Sequence, residues 1–179
     1  SYTGSISPNM IKSVGAKYVI VGHSERRHIF NEDNHSINKK VFKVIESGIK
    51  PILCLGETID EMNAGKAYNI IEEQLISGLY RIKSLSNIII AYEPVWAIGT
   101  GLAASIEQIN EVHTFIRKIL CQLFDDEESK TVPILYGGSV NLANANELIS
   151  IDSVNGFLIG GASLDVVKFS EIIKVVNSQ

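Results

Sequence analysis

Apolar residues recur along this chain in two periods. Short, nearly unbroken apolar runs occupy residues 18–21, 52–55, 88–92, 134–136 and 157–159. Such runs read as strands covered on both faces, as in a parallel sheet. Between them the apolar positions return every three or four residues. Ile37, Val41, Val44 and Ile45 make one stripe over residues 34–47, stopped by Gly48. Ile109, Val112, Ile116 and Leu120 make another, running to about Leu123 and opened by the capping box Ser105-Ile106-Glu107-Gln108. Ser7-Pro8 reads as a helix start, with Met10, Ile11 and Val14 as its inner face and Gly15 as its stop. Helices are also expected over 59–83, broken near Gly65, over 142–149, and over 166–176. The order is one helix and then five strand–helix units with short connections. That alternation means one α/β domain, residues 1–179, with a parallel sheet flanked by helices.

Composition narrows the setting. With 179 residues, 45% of them hydrophobic, the chain can bury a sizeable core. The net charge of −4 is spread over interspersed acids and bases, which gives no general attraction for nucleic acid or anionic membrane. The acidic run from Asp125 to Glu128 reads as a solvated loop. No apolar run approaches the roughly 20 residues of a membrane span, and no targeting segment is visible at Ser1. Cys54 and Cys121 each sit among apolar residues and read as buried free thiols of a reducing compartment, the cytoplasm.

Candidate chemistry lies just past the carboxyl ends of the expected strands, where parallel α/β sheets keep their sites. Glu93 follows the run 88–92, and Pro94 restricts it to extended backbone. An apolar segment, Val95 to Ile98, comes next and ends in Gly99-Thr100-Gly101. It reads as a lid that excludes water from the carboxylate, whereas an ordinary solvated loop leaves Val95, Trp96 and Ile98 unexplained. His23 follows Val21-Gly22 at the start of a polar turn, where backbone N–H dipoles disfavour a charged imidazole. Gly137-Gly138-Ser139 and Gly160-Gly161 end two consecutive strands, and paired glycines let backbone N–H groups approach an anion such as phosphate. A zinc site from His23, His28 and His35 lacks a cysteine partner or an i, i+4 pair, so no metal is expected.

The motifs A-Y-E-P-V-W-A-I-G-T-G at 91–101, G-H-S-E-R-R at 22–27, C-L-G-E-T at 54–58, Y-G-G-S-V at 136–140 and G-G-A-S-L at 160–164 resemble the triosephosphate isomerase family in order and spacing. The resemblance covers essentially the whole chain. It implies an eight-unit (β/α) barrel. Such barrels need about 250 residues, so this chain is expected to hold five of eight units, the family's strands 4 to 8, without roughly the first 70 residues. It also implies a cofactor-free interconversion of dihydroxyacetone phosphate and glyceraldehyde 3-phosphate, in glycolysis and gluconeogenesis. Glu93 is then the general base and His23 the electrophile. Gly99, Ser139, Gly160 and Gly161 hold the phosphate, and Cys54 packs near Glu93. Glu25 is the residue the family pairs with a catalytic lysine, and no lysine here matches that position. The implied partner is a second copy, met through the loop Ser1 to Ser5 and the region after His23. Departures from the family pattern are Leu102, Ala103-Ala104, Ser5 and Ile106. Two other readings stand beside this one: a truncated barrel that only binds phosphate or packs with a partner, and a different phosphate-binding barrel enzyme.

Overall fold

In a computed structural model, residues 3–98 and 103–178 are described. The elements in chain order are α1 (Pro8–Ser13), β1 (Tyr18–Val21), α2 (Ser24–His28), α3 (Asn34–Glu46), β2 (Lys50–Leu55), α4 (Ile59–Asn63), α5 (Ala67–Gly78), β3 (Ile89–Tyr92), α6 (Ile106–Leu123), α7 (Asp126–Thr131), β4 (Ile134–Tyr136), α8 (Ala145–Ile149) and α9 (Val166–Asn177). Single 3-10 turns lie at Val95–Ala97 and Gly161–Leu164.

The strands form one parallel sheet in the order β1-β2-β3-β4. The register sets Val21 beside Leu53, Leu55 beside Tyr92, and Tyr92 beside Tyr136. Strand ends therefore follow one another along one rim, and Gly22, Gly56, Glu93 and Gly137 are the first residues beyond it. The expected fifth strand over 157–159 is instead a single parallel bridge, Tyr136 to Phe157. Two backbone bonds hold it: Tyr136 donates to the Gly156 carbonyl at 3.0 Å, and Leu158 donates to that of Tyr136 at 3.0 Å.

The two faces of the sheet differ. Leu53, Ile90 and Ile134 are wholly buried under the helices, with Ile37, Val41, Ile71, Leu75, Ile109, Ile116 and Leu120 packed into the same core. On the opposite face Ile52, Ile89 and Leu135 are only half-buried, and Tyr18 and Ile20 on β1 are about half exposed, at 52% and 49%. The result is an arc of parallel strands coated by helices on its convex side, an incomplete (β/α) barrel.

Helix limits follow local chemistry. Ser7, Asp33, Thr58, Ser105 and Asp125 each cap a helix through the side chain, and Thr58 and Ser105 form full capping boxes with Glu61 and Gln108. The helical stretch expected over 59–83 is two helices, and the second ends at Gly78. There the chain presses on the sheet so closely that a Cβ at Gly78 meets Leu53 at 2.9 Å. Three further expectations are corrected. The inner face assigned to α1 is not buried: Met10 and Val14 are exposed, and only Ile11 is partly covered. The acidic run at 125–128 is not a solvated loop, because Asp125 caps α7 and Glu128 accepts from Ser84 Oγ at 2.6 Å and from the Leu85 N–H at 2.8 Å. Cys121 is half-buried, while Cys54 is buried, and both are free.

Candidate active site

Glu93 is the first residue past β3 and is 2% exposed. Its N–H donates to the Leu55 carbonyl at 2.7 Å, so the β2–β3 ladder runs one step into the rim and fixes its main chain. Glycines make room around it. A Cβ at Gly137 meets Glu93 Cγ at 2.8 Å, and one at Gly56 meets the Glu93 carbonyl oxygen at 1.7 Å.

His23 is the N-cap of α2. Its Nδ1 accepts from the Glu25 N–H at 3.2 Å, which leaves the ring proton on Nε2. That Nε2 lies 3.1 Å from Glu93 Oε1. The Glu25 N–H disfavours protonation at Nδ1, as expected for a ring at a helix start. The imidazole pKa is nevertheless raised, first by its hydrogen bond with Glu93, against the desolvation that lowers it. Glu93 and the imidazole are thus a hydrogen-bonded pair.

Around the pair is a cavity of about 330 Å³ lined by Ile20, Ile98, the 137–140 turn, and Leu158 to Ala162. The glycines do different work. A Cβ at Gly138 runs into the Tyr136 ring, 2.2 Å from its hydroxyl, so that glycine is required by packing. At Gly160 and Gly161 a Cβ meets nothing within 4 Å, so their backbone borders open space at the head of a 3-10 turn. Ser139 is fixed by its carbonyl, which accepts from Asn144 Nδ2 at 2.8 Å.

The triosephosphate isomerase family matches residues 1–176. The chain belongs to that family. The triosephosphate isomerase of Chlamydia muridarum (strain MoPn / Nigg) is 47% identical over 176 residues, which are 98% of this chain and 65% of the relative. That of Francisella tularensis subsp. mediasiatica (strain FSC147) is 45% identical over 179 residues, 99% of this chain and 70% of the relative. That of Thermodesulfovibrio yellowstonii is 48% identical over 174 residues, 97% and 70%. The chain therefore spans about two thirds of the length of these curated relatives.

Of the residues singled out from the family's motifs, His23, Glu93, Ser139, Gly160 and Gly161 line one cavity. Gly99 lies outside the described residues. Cys54 is fully buried within reach of Glu93, and burial first, then that carboxylate, push its thiol pKa up. A thiol kept protonated is a packing group and not a nucleophile. Glu25 is exposed and meets the site through its backbone N–H. No group of three metal-ligating side chains occurs among the described residues, and no helix is long and apolar enough to cross a membrane.

Two functional side chains escaped sequence reasoning although both lie in quoted motifs. Glu57 is 2% exposed, and its Oε1 accepts from Trp96 Nε1 at 2.7 Å and from the Tyr92 hydroxyl at 3.2 Å. Its carbonyl also accepts from the Val95 N–H at 3.0 Å, so one residue ties down the apolar segment after Glu93. Burial raises the Glu57 pKa, against the Trp96 hydrogen bond that lowers it. Arg27 turns inward. It donates to the Gly22 carbonyl at 2.7 Å, to Asn34 Oδ1 at 2.7 Å and to the Cys54 carbonyl at 3.0 Å. A guanidinium can span three acceptors in this way, and the bridge ties the His23 loop to the end of β2.

Proposed function

We propose that the protein is a triosephosphate isomerase, interconverting dihydroxyacetone phosphate and D-glyceraldehyde 3-phosphate. The observation that carries this reading is the His23–Glu93 pair, 3.1 Å apart in the lining of a 330 Å³ cavity that Gly160 and Gly161 also line. The reaction moves a proton between adjacent carbons of a short phosphorylated sugar. It needs a carboxylate base beside the carbon, a donor at the carbonyl oxygen, and an anchor for the phosphate. Glu93 takes the carbon-bound proton. His23 Nε2–H, which meets Glu93 Oε1 in this structure, turns to the substrate oxygens, stabilises the enediolate and relays their proton. Backbone N–H groups near Ser139, Gly160 and Gly161 hold the phosphate, and the apolar segment from Val95 excludes water. The family relatives carry the same name, which supports the same substrate here.

Two finer readings accompany this one. The assembly is a homodimer through the Ser1 to Ser5 loop and the region after His23, where Ile29 and Phe30 offer exposed apolar surface. The compartment is the cytoplasm, in keeping with two free cysteines.

The test is a coupled assay of glyceraldehyde 3-phosphate conversion by the parent protein and by Glu93→Gln and His23→Ala. General acid–base groups contribute about 10²- to 10⁴-fold, and each variant should lose activity on that scale. Turnover insensitive to both substitutions rejects the assignment. Phosphate binding without turnover in the parent rejects catalysis and leaves a phosphate-binding barrel.

A further inference from the structure

The carboxyl end of β2 lacks a strand neighbour on one side. Its residues alternate in direction: Leu55 and Glu57 accept from Glu93 and Val95, on the β3 side. The carbonyl of Cys54 and both polar groups of Gly56 face the β1 side, but β1 ends at Val21 and the chain turns away at Gly22, φ +74°. Arg27 takes the Cys54 carbonyl. Gly56 is met by Gln74 of α5, a side chain only 8% exposed. Gln74 Nε2 donates to the Gly56 carbonyl at 3.1 Å, and Gln74 Oε1 accepts from the Gly56 N–H at 2.9 Å. One amide therefore does for Gly56 what an adjacent strand does elsewhere in the sheet.

This matters because Gly56 lies against the base. The 1.7 Å approach of a Cβ at Gly56 to the Glu93 carbonyl means the two backbones are flush. Movement of Gly56 is movement of Glu93. Moreover Leu55 and Glu57, the two residues that bond Glu93 and Val95, flank the residue that Gln74 grips. We propose that Gln74 is a positioning residue for Glu93, acting through the Gly56 backbone; the proposal rests on the isomerase reading of the site. Gln74 touches no reacting atom. It contributes by denying the Gly56 peptide, and the Glu93 main chain above it, the freedom to shift away from the substrate carbon.

The test uses two variants with different faults. Gln74→Met keeps the volume and removes both hydrogen bonds. Gln74→Glu keeps the shape but, when ionised, sets a carboxylate against the Gly56 carbonyl. Misplacement by about 1 Å can cost roughly 100-fold, and a partial shift should cost about tenfold. Both variants are therefore expected to lower kcat by roughly tenfold per folded molecule, with KM within about twofold of the parent. A second readout needs no turnover. His23 is held above its ordinary pKa by the Glu93 hydrogen bond, so NMR titration of its ring should move back toward the ordinary value in both variants. A merely structural glutamine lowers thermal stability and leaves kcat per folded molecule and the His23 titration unchanged, and that result overturns the proposal. If the parent itself has no isomerase activity, the functional reading fails on that measurement alone, and the His23 titration still decides whether Gln74 positions Glu93.

Discussion

His23 Nε2 and Glu93 Oε1 stand 3.1 Å apart, although 69 positions separate them in sequence (93 − 23 − 1). One comes from the turn after β1 and the other from the end of β3. β2 lies between, and the backbone at its end is bonded on one side to Arg27 and on the other to Glu93. A parallel sheet with its strand ends in step is what lets two distant residues meet with this accuracy, and it assigns the site to the rim before any chemistry is considered.

Glu93→Asp should lower turnover by roughly 100-fold while substrate affinity stays near that of the parent. Shortening the side chain withdraws the carboxylate by about one carbon–carbon bond, close to the 1 Å misplacement associated with such losses. The phosphate contacts are left untouched. Steady-state kinetics check it, and parent-like turnover removes Glu93 from the role of base.

Glu93→Gln should return the His23 pKa toward its ordinary 6.5, because the hydrogen bond to Glu93 is the largest cause of its elevation. The sign for stability follows. In the parent the pair's contribution is fully present below the unfolded value and is lost as pH rises through the folded one. The variant should lack that pH-dependent component, so denaturation midpoints of the two proteins should converge at high pH. Parallel stability curves across that window would show that the pair is uncoupled.

The parts of this arrangement that sequence could and could not supply divide by range. The strands of β1 to β4 and the helices α3, α6 and α9 were legible because their apolar periods are local. Helix caps were legible at Ser7 and Ser105 for the same reason. Glu93 was legible from Pro94 and the apolar segment behind it. Glu57, Arg27 and Gln74 were not, although two of them stand in quoted motifs, because the contacts that tie them to other strands and loops, with Trp96, Cys54 and Gly56, lie 39, 27 and 18 positions away. No local pattern distinguishes an arginine that turns inward onto two strand-end carbonyls from one in solvent. Met10 and Val14 failed in the opposite way: their helical spacing is sound, but no second layer covers them among the described residues.

Glu57→Gln should stabilise the protein near neutral pH. Burial raises the Glu57 pKa, so between the unfolded and folded values the native state holds more protons, and stability falls as pH climbs through that window. The glutamine oxygen can still accept from Trp96 and Tyr92, and it removes the cost of a buried charge. Denaturant midpoints should favour the variant above the window and show the gap closing below pH 4.5, the ordinary value. A less stable variant at neutral pH would mean that the charge strengthens those hydrogen bonds by more than its desolvation costs.

His113 gives a sharper pH signature. It is fully buried on α6, its Nδ1–H donates to the Ser153 carbonyl at 3.0 Å, and desolvation lowers its pKa from 6.5 to about 4. The unfolded chain binds a proton across that interval and the native protein does not, so stability is full above pH 6.5 and lost as pH falls toward 4. The gap of about 2.5 pH units is worth roughly 3 kcal/mol. His113→Asn keeps a donor for Ser153 and removes the titration, so the slope of stability against pH should flatten over this interval. Persistence of the full slope would assign it to other groups.

The last prediction concerns residues 1–179 as an isolated polypeptide, which should self-associate as its concentration rises. Among the described residues, one edge of the sheet is β1, which pairs only with β2, and the other ends in the single bridge at Phe157. Strand edges of this kind recruit further strands. The face bearing Tyr18, Ile20, Ile52, Ile89 and Leu135 is only partly covered, and α9 adds exposed Val166, Val167 and Ile173. An uncovered apolar sheet face of this kind is surface that monomeric proteins rarely leave in water. Ile20 also lines the cavity that holds His23 and Glu93, so the uncovered face reaches the candidate site. Association of that face therefore acts on catalysis as well as on solubility. The measurement is light scattering of the purified polypeptide over a concentration series, with binding of a hydrophobic dye and isomerase turnover on the same samples. Concentration-dependent oligomers with dye binding, and turnover per molecule that falls as the oligomers grow, are expected. A monodisperse monomer that excludes the dye and turns over substrate would show that the sheet face is closed in solution by a rearrangement of this chain's own segments.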